Sequence, residues 1–591
     1  MYVRCNPNKK NPKYLTYVQG YRDKNGIIKQ RIIKKIGNWD ELTKLYNDPI
    51  KHFNDLAKKD KDNIVNTANI KLSETMKTNS HFNNVGYIII KKIYHNLGLS
   101  TLLNNKQTLI DVEFSLDKIM QLLVYSRILF PGSKLETYNN KDIYFEDFNF
   151  SIKDMYRSLD YFTEYKKDVC KTLWENTKSE YNRDTSTTYY DCTNYYFEIS
   201  YNDTDLIDEE GNILEKGIRK KGPSKEKRKS PIIGMGLLMD KTNIPLSYDL
   251  FPGNESEKDK IRPHLNQAKR DFGIDRTIIV ADRGLNTSDN TVFIAHKNND
   301  KKTNHDGYIY GQSILGGSKE FKEWAINPDG FTKDILNEDD YDETTDSEND
   351  AIVFKHKSRI IAKTVKIKRD GRRTNEYDIY QKQMVYFSNK YAKRQKKLRN
   401  EIIIKAKDLI ENRGKYTQST SYGANKYINN IAYNKKTGEI PEGLELSLKE
   451  DLIKEEEKYD GYYSIVTSEL KMSDIDIRNT YKGLWKIEET FKLTKTNLRT
   501  RPVYVWTKNH IESHFLSCFI SLVIIRLLEI KVDNKISINN LIKHLKNYNC
   551  NNLQHNLYHF NYYNNDIITI ENTFNIDLSK KFRNLSEIKN L

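Results

Sequence analysis

The amino-acid sequence predicts an α/β protein, because short runs of β-branched and aromatic residues alternate with longer segments whose apolar residues recur at helical spacing. The clearest strand pattern is TIIVADRG (277–284), a continuous apolar run that ends in charge. Such a run is typical of a buried strand in a helix-covered sheet. The clearest helical pattern is SLDKIMQLLVYSRILF (115–130). With 591 residues, the chain is long enough for roughly three to five structural units.

The segments follow one another in a definite order along the chain. Two strand-like runs flank the turn signal DKNG (23–26) and predict an N-terminal β-hairpin. Helical spacing predominates from Val85 to about Trp174, and strand patterns return at 185–200 and 232–251. The run NEDDYDETTDSEND (337–350) contains almost no apolar residue, so we expect a solvated loop there.

The composition limits the classes of partner and compartment. Lys and Arg number 97 against 81 acidic residues, a formal charge of +16, which favours a polyanionic partner. A Lys-rich and Asn-rich composition would follow equally from an A/T-rich gene, so charge alone leaves both explanations open. The five cysteines form no CxxC pair, which argues against a zinc module or a disulfide framework. The apolar run 515–525 is too short to span a bilayer, and we expect a cytoplasmic protein without membrane association.

Three acidic residues are candidates for catalysis. Asp191 ends the run TTYY, Asp282 ends the run TIIVA, and Glu488 lies in the helical pattern YKGLWKIEETFKLTK. Acids at the carboxyl ends of buried strands occupy the edge where open α/β sheets bind ligands. Oxygen-only ligands suit Mg²⁺ or Mn²⁺. Two such ions, roughly 3.5–4 Å apart, can stabilise the in-line displacement of a phosphodiester.

The segment around Glu488 predicts one helix with a polar stripe. Tyr481, Glu488 and Lys495 are spaced by seven residues, which returns to nearly the same helix face, and Lys492 shares that face. Each feature has a simpler explanation when taken alone. An acid at a strand end is usually a turn or cap residue, and Glu488 with Lys492 could form an ordinary helix ion pair.

Two motifs resemble the DDE transposases of bacterial insertion sequences, in the IS-four-like superfamily. That family has its first Asp in the context Y-D-x-T, which reads YYDCTNYYFE here, with Asp191 and Thr193. Its second Asp lies in the context A-D-R-G, which reads IVADRGLNT here, with Asp282. The segments GPSKEKRKSP (222–231) and LFPGNESE (250–257) are also similar to the family.

The third motif of the family is Y-x2-R-x3-E-x6-K. This chain matches it at Tyr481, Glu488 and Lys495, but Leu484 stands where the family has Arg. In related proteins that Arg is thought to contact phosphate near the cleaved end. The substitution therefore bears on how the DNA end is held and leaves the three acids intact.

The resemblance implies a fold and a domain organisation. The family fold is an RNase H-like mixed sheet, like that of retroviral integrases, interrupted by a β-rich insertion. We accordingly expect five segments: an N-terminal hairpin region, a helical DNA-binding region, the first part of the core, the insertion, and the second part of the core with the C-terminal helices. Their boundaries are 1–80, 81–180, 181–297, 298–458 and 459–591.

The resemblance also implies a function. Asp191, Asp282 and Glu488 would bind two Mg²⁺ or Mn²⁺ ions and support cleavage of the element's terminal inverted repeats and joining to target DNA. Relatives act as dimers on paired ends, so we expect a homodimer on DNA. Tyr481, Lys492 and Lys495 would position end phosphates, and a weaker pair of DNA-binding candidates is Lys225 and Arg228. Two alternatives stay open: a structure-specific metal-dependent nuclease, and an inactive or domesticated copy that only binds DNA.

Overall fold

The computed structural model divides the chain into two compact units, Met1–Ser80 and His81–Leu591. The residues that it describes are 2–8, 11–22, 28–59, 82–226, 228–295, 306–336, 346–348, 351–369, 373–418, 420–434, 437–554 and 556–591. Most of the acidic run 337–350 and the turn signal 23–26 lie outside these residues.

The N-terminal unit is a three-stranded antiparallel sheet with two helices. The second and third strands pair along their length, which confirms the predicted hairpin. Val3, Leu15 and Leu42 are buried together between the sheet and the first helix. The elements are β1 (Tyr2–Asn8), β2 (Asn11–Arg22), β3 (Ile28–Asn38), α1 (Trp39–Leu45) and α2 (Pro49–Lys59).

The second unit opens with helices, as the spacing from Val85 to Trp174 predicted. Ser115, Ser133 and Ser151 each cap a helix through the side-chain oxygen, which accepts a backbone N–H of the first turn. The elements are β4 (Asn83–Asn84), α3 (Tyr87–Asn96), α4 (Leu99–Gln107), α5 (Leu116–Leu129), α6 (Lys134–Asn139), a 3-10 turn (Lys141–Ile143), α7 (Ile152–Glu164) and α8 (Lys166–Lys178).

A ten-stranded mixed sheet forms the centre of the second unit, so the predicted α/β class is confirmed. Its strands are β5 (Thr187–Tyr196), β8 (Ile232–Asp240), β9 (Pro245–Pro252), β10 (Ile278–Ala281), β11 (Gly307–Gln312), β12 (Thr332–Leu336), β13 (Asp346–Glu348), β14 (Ala351–Arg369), β15 (Arg373–Phe387) and β18 (Tyr462–Thr467). The spatial order is β12-β14-β15-β18-β11-β10-β5-β8-β9, and β13 pairs with β14.

The pairing between neighbouring strands changes from parallel to antiparallel once on each side of the sheet's centre. β5, β10 and β11 run parallel to one another. β8 and β9 continue from β5 in antiparallel fashion, and β18, β15 and β14 continue from β11 in the same way. Of the parallel strands, β10 and β11 are short and deeply buried, and the continuous apolar run 277–284 predicted this for β10.

Further helices of the second unit are α9 (Ile261–Phe272), α10 (Ser288–Ala295), α11 (Lys319–Ile326), α12 (Asn389–Glu411), α13 (Glu450–Glu457), α14 (Asp474–Lys482), α15 (Trp485–Thr496), α16 (Lys508–Lys531), α17 (Ile538–Asn547), α18 (Asn565–Phe574) and α19 (Leu585–Lys589). Helices pack against the sheet, among them α15 on β5, α9 and α16 on β9, and α10 on β11. Short 3-10 turns lie at Glu257–Asp259, Arg283–Leu285, Arg413–Lys415 and Ala424–Tyr427. The remaining strands are β6 (Leu206–Ile207), β7 (Ile213–Glu215), β16 (Ile428–Asn429), β17 (Ser447–Leu448), β19 (Asn549–Gln554), β20 (Leu557–Phe560) and β21 (Phe582–Asn584).

The helix α16 contains the apolar run 515–525. By length and composition it could cross a membrane, but 94% of its apolar window is buried inside the protein. Helices α3, α5 and α7 and strand β9 pack around it. It is therefore a core helix of the second unit.

A buried ion pair joins the helical region to the sheet. Arg183 Nε donates to Asp240 Oδ2 at 2.6 Å, and both side chains are almost fully excluded from solvent. The same guanidinium donates to the Ile244 and Pro245 carbonyls and to Thr177 Oγ1. Without Arg183, Asp240 and the other groups that it contacts would stay buried and lose a hydrogen-bond partner. Removal of Arg183 should therefore lower the free energy of unfolding substantially.

We predict that Arg183→Ala lowers the free energy of unfolding by about 3–5 kcal/mol, because Asp240 would remain as an unpaired buried charge. Urea denaturation measures the change. The matched control is Lys241→Ala, since Lys241 pairs with Asp184 at 3.3 Å on the surface and should contribute about 0–1 kcal/mol. Equal losses for the two variants would contradict the prediction.

Candidate active site

Asp191 and Asp282 lie side by side on neighbouring parallel strands. The register pairs Tyr190 of β5 with Ala281 of β10, so the next residue on each strand is one of the two acids. The sequence predicted each of them at a strand end. Asp191 lies within β5, which continues to Tyr196, whereas Asp282 directly follows β10.

The two carboxyl groups differ in their surroundings. Asp282 is exposed, and its Oδ1 accepts the backbone N–H of Gly284 at 2.6 Å. Asp191 is half-buried, and desolvation raises its pKa to about 7. The positive charge of Lys225 and the N–H of Cys192 oppose that rise, whereas the negative charges of Asp282 and Glu257 add to it. Asp191 is thus a carboxyl group short of positive charge.

The helix α15 packs on the face of β5 that contains Asp191. Side chains alternate along a strand, so Tyr189, Asp191, Thr193 and Tyr195 share one face. Lys495 Nζ donates to Thr193 Oγ1 at 2.6 Å, and the Tyr195 and Thr494 hydroxyls lie 2.7 Å apart. These contacts fix the carboxyl end of α15 above the strand.

At the amino end of α15, the backbone of Gly483 lies close to the side chain of Tyr189. A Cβ atom at Gly483 would lie 2.1 Å from the Tyr189 hydroxyl, so only glycine fits there. Asp191 therefore lies on β5 between the two positions that contact the start and the end of this helix. Glu488 lies on α15 between those contacts and is exposed.

The single helix predicted for residues 481–495 is interrupted. α14 ends at Lys482 and α15 begins at Trp485, because Gly483 and Leu484 donate their N–H groups three residues back, to Thr480 and Tyr481. The predicted continuous stripe is therefore wrong for Tyr481, which lies on α14. Glu488, Lys492 and Lys495 remain together on α15.

Tyr481 and Leu484 are both held inside the protein. The Tyr481 hydroxyl lies 2.9 Å from that of Tyr463 on β18, and burial raises the pKa of Tyr481 well above its ordinary value. A Cβ at Gly311 would lie 2.6 Å from the same hydroxyl. Leu484, at the position where the resembling family has Arg, is only 6% exposed and packs in the main apolar core.

The predicted cationic side chains occupy different positions around Asp191. Lys225 Nζ donates to the Cys192 carbonyl and lies 3.5 Å from Glu257. Arg228 stacks over the ring of Tyr196, with 3.7 Å from its guanidinium carbon to the ring centroid. Lys492 is exposed on α15.

Two acids near this site were not predicted from the sequence. Glu226 lies 3.7 Å from Lys495 and 3.6 Å from Arg228, and it also pairs with Arg501. The negative charge of Glu257 contributes to the raised pKa of Asp191. Both residues belong to segments, 222–231 and 250–257, that resembled the family, but nothing in their spacing indicated that they would face β5.

The donor chemistry at Asp191 and Asp282 fits a divalent cation. Two adjacent carboxylates, one of them poorly solvated, are stabilised when a cation is bound between them. Within the described residues, no group of three or more His, Cys, Asp or Glu side chains is close enough together to hold a metal ion. Glu488 therefore does not join the two aspartates in the arrangement observed.

Comparison with known proteins adds one finding. Residues 3–67 match the N-terminal domain of IS1634 family transposases. This match supports an insertion-sequence transposase and covers the N-terminal unit, not the acids of the second unit. No curated protein matches the chain.

We predict that Asp191→Asn stabilises the protein more at pH 8 than at pH 4, measured as the melting temperature in EDTA. The folded pKa, about 7, lies above the ordinary value of 3.8, so the contribution of Asp191 to stability is fully present below pH 3.8 and is lost as the pH rises through 7. Asn removes that loss.

The control for this prediction is Asp289→Asn, which removes a half-exposed carboxylate from α10. Its effect on melting temperature should be small at both pH values. An equal effect of Asp191→Asn at pH 4 and pH 8 would show that the folded protein does not hold this carboxyl group in a desolvated position.

Proposed function

We propose that this protein is a DDE transposase that cleaves the ends of its insertion sequence and joins the resulting 3′-OH ends to target DNA. The observation that carries the proposal is the placement of Asp191 beside Asp282 on paired parallel strands, on the face covered by α15. The match of residues 3–67 to the N-terminal domain of IS1634 family transposases supports the same class of enzyme independently.

The strand order of the central sheet supports an RNase H-like core. The antiparallel strands β9, β8 and β5 are followed by the parallel strands β10 and β11. This is the kind of mixed sheet that the resemblance implied. The first acid then lies on the central strand and the second on its parallel neighbour.

Asp191, Asp282 and Glu488 are the proposed ligands of two Mg²⁺ or Mn²⁺ ions. When bound, such ions lower the pKa of an attacking water or 3′-hydroxyl and stabilise the charge of the displaced oxygen. Support for Glu488 comes from α15: it lies seven residues before Lys495, on the helix face from which Lys495 reaches Thr193. Glu488 would complete the site through movement of its exposed side chain.

The cations around β5 would position the DNA. Glu226 forms ion pairs with Lys495 and Arg228. A DNA phosphate could take the place of the Glu226 carboxylate, because both groups present negatively charged oxygen atoms. Lys225 fixes the backbone at Cys192, directly after Asp191. The proposed substrates are the terminal inverted repeats and target DNA, bound by a homodimer.

One observation favours an inactive DNA-binding copy as a second candidate. Leu484 is buried in the apolar core and carries no charge, so it offers no phosphate contact of the kind expected from the family Arg. A structure-specific nuclease is the other alternative, and it would cleave without joining. Assays of binding, cleavage and joining with terminal-repeat DNA distinguish the three functions.

We predict that Asp191→Asn, Asp282→Asn and Glu488→Gln each reduce Mg²⁺-dependent cleavage of labelled terminal-repeat DNA by at least about 10³-fold, because each removes one charge from the metal site. Binding to the same DNA in EDTA should remain within about threefold. The matched control is Glu489→Gln, on the same helix but paired with Lys486 and Arg526.

Each outcome of this assay has a definite meaning. Full cleavage by one variant would remove that residue from the metal site. Cleavage without joining by the wild type would favour the nuclease, and binding without cleavage would favour the inactive copy.

We predict that Lys495→Ala weakens binding to terminal-repeat DNA and reduces the slope of log K against log salt by about one, because one phosphate contact is lost. Fluorescence anisotropy between 50 and 300 mM salt measures the slope. Lys535→Ala, which removes an exposed cation on the segment after α16, is the control and should leave the slope unchanged. An unchanged slope for Lys495→Ala would exclude a phosphate contact at this residue.

A further inference from the structure

The helix α12 carries a concentration of positive charge that the proposed catalytic site does not use. Its first half, residues 389–400, reads NKYAKRQKKLRN and contains six cations and no acid. The second half differs, since it contains Glu401, Asp408 and Glu411. Charge is therefore separated along one helix, with the positive part at its amino end.

This distribution is not what the helix alone would favour. The amino end of a helix carries a partial positive charge, so cations there are slightly destabilising. The helix begins with the cap Ser388, whose side chain accepts the N–H of Tyr391. No acidic residue occupies the first turn to offset the dipole. A function in binding is a more direct explanation for the lysines than helix stability.

One face of α12 is fixed against the protein. Gln395 Oε1 accepts the N–H of Gly461 at 2.8 Å, and Arg399 makes two contacts of 2.6 Å to Asp460. Further along the helix, Ala406 and Leu409 are fully buried. These positions recur at helical spacing and define the buried side.

The opposite face is solvent-exposed and basic. Lys390, Lys393, Arg394 and Lys397 lie within about 100° of one another around the helix axis, on the side away from Gln395 and Arg399. Lys396 flanks them, and all five side chains are exposed. From Lys390 to Lys397 the stripe is roughly 10 Å long.

The amino end of this stripe lies close to the candidate active site. The ring of Tyr391 packs edge-on against that of Tyr463 at 5.6 Å, and Tyr463 contacts Tyr481. The positive charge of Arg283, the residue directly after Asp282, also acts on the Tyr391 hydroxyl. A duplex that follows the stripe would therefore reach the edge of the sheet where Asp282 lies.

We propose that the basic face of α12 binds the phosphate backbone of duplex DNA and leads it to the site formed by Asp191 and Asp282. This inference rests on the proposed function for the identity of the partner. Four of the five exposed cations are lysines, which act as point charges on flexible stems and bind phosphate oxygens readily, so the contact is chiefly with the DNA backbone.

The test uses the full chain and a labelled 30-base-pair duplex of arbitrary sequence, with EDTA present so that no cleavage occurs. The variant Lys393→Gln/Lys396→Gln/Lys397→Gln should reduce the slope of log K against log salt by about 2–3, because up to three phosphate contacts are lost. At 100 mM salt we expect a loss of affinity of at least about tenfold.

The matched control is Lys407→Gln/Lys454→Gln/Lys458→Gln, which removes three exposed lysines from the second half of α12 and from the α13 segment. It should keep the wild-type slope and affinity. The melting temperature of both triple variants should stay within a few degrees of the wild type, since all six side chains are exposed.

The outcomes separate this inference from the proposed function. An unchanged slope in the first variant overturns the DNA track, even if the wild type cleaves and joins DNA. An altered oligomeric state with unchanged DNA affinity also overturns it and assigns the face to a protein contact. Loss of binding in the first variant alone supports the track, even if the wild type never cleaves.

Discussion

The parallel pairing of β5 with β10 is the constraint on which the candidate site depends. The hydrogen-bond ladder that places Tyr190 beside Ala281 leaves the next two residues as neighbours, and both are acidic. A slip of one residue would turn every side chain of a strand to the opposite face of the sheet, and the buried tyrosines on both faces of β5 prevent such a slip. The backbone register therefore fixes the acids, and the loops around them adjust to it.

The electrostatics of the site follow from that placement. Packing α15 over β5 removes solvent from Asp191, and the raised pKa shows that Lys225 and the Cys192 N–H compensate only in part. The fold thus retains a carboxyl group that is unfavourable in its ionised form at neutral pH. Such a cost is common where a site is built to bind a cation or a proton, because the favourable interaction is completed only by the ligand.

Much of this arrangement could be predicted from the sequence, and the failures have physical causes. The continuous apolar run that ends in Asp282 identified β10, since a buried parallel strand has a distinctive pattern. The Thr- and Tyr-rich stretch around Asp191 indicated β5 but placed its end too early, because β5 continues to Tyr196. The break between α14 and α15 was missed because it depends on tertiary contacts. Gly483 meets the Tyr189 hydroxyl and Tyr481 bonds to Tyr463, and periodicity contains no information on either contact. Glu226 and Glu257 were missed for the same reason, because their neighbours are distant in sequence.

Under the proposed function, the distribution of charge suggests that different surfaces bind target DNA and the terminal repeats. Phosphate contacts add affinity and salt dependence to every sequence alike, so backbone contacts by the stripe on α12 would bind an element's end and any other duplex with similar affinity. Target DNA varies from one insertion to the next, and a track without sequence preference suits it. Recognition of the proposed terminal repeats would require contacts with base edges, and backbone contacts by α12 do not supply them. The strands β1, β2 and β3 contain no acidic residue and several cations, so under the proposed function the N-terminal sheet is a candidate for that role beside the helical region 81–180.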